Sequence, residues 1–175
     1  MIETLSALVQ PWADFYAEST LLATLITAVH LLAMFGGGGL AIAADRRVLR
    51  AHPGTFEALQ ATADDLRSTH SLVIGALVLT VASGASMALA DVTTFAVSRV
   101  YWTKMAMFAV LIGNGLLMRR AESAVLHGAE PTHLGDPVTV VPMASRPWGA
   151  LRRSARISLI VWFTIVALGV LLTNS

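Results

Sequence analysis

The chain has 175 residues, of which 55% are apolar and only 13% charged, against about 25% charged in a soluble globular domain. Twelve basic and eleven acidic side chains leave a net charge of +1, which points to no nucleic-acid partner. The lack of cysteine excludes disulfides, thiolate metal sites and cysteine nucleophiles. Mean hydropathy of +0.69 and long uncharged runs predict an all-α polytopic membrane protein, with four transmembrane helices in a bundle.

Residues 1–18 come first. Leu5, Leu8, Val9, Trp12, Phe15 and Tyr16 recur at helical spacing, which predicts an amphipathic helix lying in the membrane interface with its aromatics at headgroup level. No basic stretch precedes these apolar residues, so the segment does not read as a cleavable signal peptide. A single transmembrane domain is expected over 19–175. Its first span, 20–44, sits in a stretch without charge between Glu18 and Asp45. After Pro53 and Gly54, the spacing of Phe56, Leu59, Ala63 and Leu66 predicts a helix face that runs on into the second span, 71–90. The third span, 100–118, has only 14 uncharged residues between Lys104 and Arg119. It must therefore extend back through Tyr101 and Trp102, with Lys104 snorkelling its ammonium outward. A cytoplasmic loop over 121–150, carrying Pro131, Pro137, Pro142 and Pro147, separates it from the fourth span, 157–173. No periodic element is expected in that loop.

Ten of the twelve Lys and Arg residues fall between the first and second spans or between the third and fourth. That bias predicts a bacterial-type inner (cytoplasmic) membrane location with both termini on the non-cytoplasmic side. Small residues spaced by four mark packing faces: Ala33, Gly37 and Ala41, then Ala76, Thr80, Gly84 and Ala88, then Ala109 and Gly113. The run Gly36 to Gly39 admits close approach of a neighbouring backbone or of a flat ligand such as a porphyrin.

An intramembrane polar group is costly and marks a functional candidate. His30 lies near the middle of the first span, and Met34, Met87 and Met107 are the soft ligands in its half of the bilayer. Imidazole with thioethers suits Cu(I). One haem b axial position would suit His30 as well, but the second histidine near a span, His70, differs in depth by about 15 Å, which ranks haem below copper. The alternative is a neutral His30 hydrogen-bonded to Thr80 or Ser83 across a helix interface, with the methionines as packing. His52, His127 and His133 read as solvated loop residues. No phosphate loop, serine triad or metalloprotease motif is present, so no enzyme is expected.

The segment Ala28 to Ala33, followed by Gly36 to Gly39 and Arg46-Arg47-Val48-Leu49, resembles the opening helix of the copper resistance protein D-like membrane family. Thr80 to Gly84 with Arg99 to Lys104, and the arginine-rich approach to a last apolar helix over Arg152 to Leu172, are similar to its later helices. Phe35 stands near where that family commonly has tryptophan before the glycines. The resemblance implies a related core and copper handling at His30 and, more weakly, Met34. Two functions are therefore expected in order. The first is a non-enzymatic accessory or structural subunit, set in the lipid bilayer and packed against other membrane protein subunits. The alternative is a copper-handling protein, with haem binding behind it. The first is favoured because His30 and Lys104 are the only ionisable groups within the expected spans, too few for a transport pathway.

Overall fold

The computed structural model describes residues 2–51, 56–127 and 145–172. Its helices are α1 (Ile2–Glu18), α2 (Thr20–Arg50), α3 (Phe56–Ala90), α4 (Val92–Val97), α5 (Arg99–His127) and α6 (Ser145–Leu172). Four segments are long and apolar enough to cross a membrane: α2, Asp64–Ala90 of α3, Arg99–Val125 of α5 and Arg146–Leu172 of α6. The expected all-α membrane bundle is the observed architecture.

Most helices begin and end where local chemistry dictates. Ser19 caps α2 by accepting from the Leu22 amide at 3.3 Å. At the far end of α2, the Arg152 guanidinium of α6 donates to the Leu49 carbonyl at 3.1 Å, satisfying one orphan acceptor. Asp91 caps α4 by accepting from the Thr94 amide at 3.1 Å. Those bonds hold its carboxyl below the ordinary carboxylate range. The short helix α4 was not foreseen from the sequence.

As expected, α3 runs unbroken from Phe56 into its spanning part. The loop over 121–150 is shorter than expected. Helix α5 continues through His127 and α6 starts at Ser145, with Pro147 tolerated in its first turn. Residues 52–55 and 128–144, with His52, Pro53, Gly54, Pro131, His133, Pro137 and Pro142, lie outside the described residues, as do the side chains of Phe56, Leu59, Ala63 and His127.

Two antiparallel helix pairs make the bundle. Helix α2 lies along α3 and α5 lies along α6, and the pairs meet through α2 and α6. Helices α3 and α5 scarcely touch. The first pair is set by small residues, as the spacing predicts. A Cβ on Gly37 would stand 2.5 Å from the Ala76 Cβ, so α2 and α3 are in near backbone contact there. A Cβ on Gly38 would stand 3.2 Å from the Trp162 ring of α6, whereas Gly36 and Gly39 have nothing within 4 Å. The glycine run thus serves helix packing at its two middle positions.

On α5 the expected small-residue face is not the interface. Ala109 and Gly113 are exposed, and the buried stripe is Lys104, Phe108, Leu111, Asn114 and Met118. Two bulky residues fill that interface and a hydrogen-bonded pair locks it. Asn114 Nδ2 donates to the Ser154 carbonyl at 2.9 Å, and Ser154 Oγ donates to Asn114 Oδ1 at 2.9 Å. Helix α1 packs against α3 and α4 at the end away from the arginine-rich one. Its Trp12 indole donates to the Ser86 carbonyl at 2.9 Å, and Trp12 packs beside Phe15 and Tyr16.

Candidate functional site

Polar side chains inside the bundle gather at two levels. At the first, α2 presents His30 to α3. Its Nδ1 lies 3.1 Å from the Thr80 carbonyl and 3.0 Å from Ser83 Oγ. A carbonyl only accepts, so Nδ1 carries a proton, and in the neutral ring Nε2 is then an acceptor. Ser83 gives its own proton to the Leu79 carbonyl at 2.6 Å and can accept from His30. Gly84 makes the room: a Cβ there would stand 3.1 Å from His30 Cε1. We expect Gly84→Ala to lower stability by about 1 kcal/mol and to cost little once His30 is already alanine, a coupling that a thermal double-mutant cycle in nanodiscs reads directly.

Lys104 of α5 lies within electrostatic range of His30. It does not snorkel outward as the sequence suggested. The residue is buried, and its Nζ is 3.6 Å from where a Cβ on Gly169 of α6 would stand. Met34 is buried in the core with Phe108, Leu111 and Trp162, and Met107 packs against that cluster. Met87 is half-buried one turn beyond Ser83 on α3. The structure therefore gives His30 a hydrogen-bonded seat between helices and gives Met34 and Met107 places in apolar packing. Among the described residues no group of three or more His, Asp or Glu side chains is placed to hold a metal ion.

The second level lies toward the arginine-rich end, where α3 and α5 part. Their ends are clasped by Arg67 and Glu122, 3.5 Å apart, above a small core of Val48, Leu66, Met118, Leu151 and Ala155. Beyond the clasp the helices splay and leave a cleft of about 550 Å³. Its walls are aliphatic, with Val73, Leu77, Val78 and Val81 on α3 facing Leu111 and Ile112 on α5. Asp45, His70, Arg119, Asn114 and Ser158 line it toward the arginine-rich end.

Asp45 is 2% exposed. Ser158 is within hydrogen-bonding reach of its carboxyl group, yet Oδ2 has no partner among the described residues. From the sequence, Asp45 reads only as the end of an apolar run and His70 only as a histidine at the wrong depth for a haem. A signal was available for Asp45: His30, Met34, Gly37, Ala41, Asp45 and Val48 follow one another at steps of three and four along one helix face. The approach of α3 to α5, and hence the cleft, left no mark in the sequence.

No family model, curated relative or solved structure matches the chain. The class defined by fold and site is that of a multi-pass helical membrane protein with a side cleft.

Proposed function

We propose that this integral membrane protein is a non-enzymatic binding protein that takes an apolar, membrane-dissolved molecule into the α3/α5 cleft, as an accessory component of a larger membrane system. The observation that carries the reading is the cleft itself. Its volume of about 550 Å³ falls among small-molecule sites, which span about 300–1,000 Å³ and are mostly apolar with a few convergent polar groups. Its length also fits. From His70 to Val81 α3 rises about 17 Å, close to one leaflet of the hydrocarbon core at about 15 Å.

The accessory role draws further support from outward apolar side chains such as Leu32, Phe35, Ile160 and Phe163, which suit partner subunits as well as lipid. The arginine distribution supports a bacterial-type inner membrane with both termini on the non-cytoplasmic side. Copper handling, suggested by the resemblance to the copper resistance protein D-like family, has less support. The buried Lys104 within electrostatic range of His30 opposes a cation on the ring, and Met34 is committed to the core.

Gly115 supplies the test. It lines the cleft, and a Cβ there meets nothing within 4 Å, so Gly115→Phe starts from an unobstructed position and adds bulk at the cavity wall. Native mass spectrometry of protein purified in nanodiscs should show a bound apolar adduct, reduced at least about tenfold in Gly115→Phe; an adduct equally abundant in both proteins would place it elsewhere. Stoichiometric copper lost in His30→Ala would favour the metal reading instead.

A further inference from the structure

Resting on the cleft reading, we infer that the ligand carries an uncharged oxygen head, a hydroxyl or carbonyl of the kind found on quinols, quinones and long-chain alcohols, and that Asp45 Oδ2 is the atom that reads it. Three observations converge. Asp45 is nine-tenths or more buried, lines the cleft, and has an oxygen without a hydrogen-bond partner among the described residues. Leaving such a group unmatched is costly in an apolar medium. The residue lines the arginine-rich end of a cavity whose longer walls are aliphatic, so a molecule lying along the walls brings its head toward this point.

Charge at that end selects the head. Asp45 stands with Arg119 and His70 around the same cavity. A phosphate head would meet the Asp45 carboxylate, and an ammonium head would meet the Arg119 guanidinium. A neutral oxygen meets neither penalty. A hydroxyl can donate to an ionised Asp45 or accept from a protonated one, and a carbonyl can accept from the protonated form. Asn114 lines the same end, but its amide and its carbonyl oxygen are committed to Ser154, whereas Asp45 Oδ2 has no partner among the described residues.

The test is photolabelling of the full-length protein in nanodiscs with chain-matched dodecyl probes that carry a diazirine near the tail end. Their heads are hydroxyl, phosphate, trimethylammonium or plain methyl. The expected result is labelling of the α3 and α5 walls by the hydroxyl probe about tenfold above the other three. Asp45→Leu, which removes a buried polar group and so need not impair folding, should bring the hydroxyl probe down to the methyl level. Asp45→Asn, which keeps hydrogen bonding, should retain most of the preference.

Strongest labelling by phosphate would overturn the inference and assign the head to Arg119 and His70. Strongest labelling by trimethylammonium would overturn it in favour of an ion pair with Asp45. Equal labelling by all heads, or a preference that survives Asp45→Leu, would overturn the role of Asp45 while leaving the cleft as an apolar site. No labelling of the walls by any probe would overturn the cleft reading and the inference with it.

Discussion

Gly37→Ala is expected to destabilise the bundle by about 2 kcal/mol, within the cost of overpacking a close interface. The added methyl would stand 2.5 Å from the Ala76 Cβ, with the Ala76 Cα at 3.7 Å. Neither group can swing aside, since one is backbone and the other is fixed to it, so α2 and α3 must move apart. Separation along that line also loosens the seat of His30, whose partners Thr80 and Ser83 lie one to two turns further along the same α3 face. Helices in lipid are held by close van der Waals contact and interhelical hydrogen bonds rather than by expulsion of water, so the loss is not recovered by collapse elsewhere. Gly36→Ala and Gly39→Ala meet open space and should be neutral or slightly stabilising, because alanine is the better helix former. Thermal unfolding of the three variants in one nanodisc preparation compares them directly; equal effects at all three positions would contradict the interface described.

The second large effect is expected for Trp162→Ala, about 3 kcal/mol of destabilisation by the general cost of truncating a buried aromatic. Trp162 is 2% exposed. It packs against Gly38 of α2, joins Met34, Phe108 and Ile165 in the main core, and forms part of the cleft wall. It is therefore one of the side chains through which the two helix pairs are joined. Its removal enlarges the cleft, so an added apolar ligand should restore part of the lost stability, as mass action on the folded state requires. The readout is the melting temperature of Trp162→Ala with and without a long-chain alcohol. A drop of the expected size with no recovery would separate the packing role of Trp162 from its place in the cleft.

Much of the architecture was legible because lipid imposes simple rules. Apolar length located the four spans, and the α2/α3 interface followed from the small residues at intervals of four. The same rule misplaced the α5 face. Ala109 and Gly113 look like a contact stripe, but the α5/α6 interface is built on bulky residues and the Asn114–Ser154 hydrogen bonds, a pattern that spacing of small residues does not encode. Lys104 was misread for a related reason. Snorkelling is the default for a lysine near a helix end, and only the proximity of Gly169 on another helix shows how this one is accommodated inside. His30 was found because a polar residue inside a span is conspicuous, and its partners followed from depth alone. Asp45 was passed over because it adjoins Arg46 and Arg47, which mark a membrane boundary. The cleft depends on how far α3 and α5 diverge, a tertiary quantity with no local signature.

If α3 and α5 stand apart in the bilayer, thiols placed on opposite walls of the cleft cannot pair. The chain has no native cysteine, so paired substitutions report distance directly. Leu77→Cys with Ile112→Cys places one thiol on each wall of the cleft. Asn114→Cys with Ser154→Cys replaces side chains already hydrogen-bonded across the tight α5/α6 interface. A disulfide needs Cα atoms within about 7 Å, so oxidation of membranes holding each variant should cross-link the 114/154 pair and leave the 77/112 pair reduced. Cross-linking of the 77/112 pair at the rate of the other would show that the helices close on each other and that the bundle holds no such cleft.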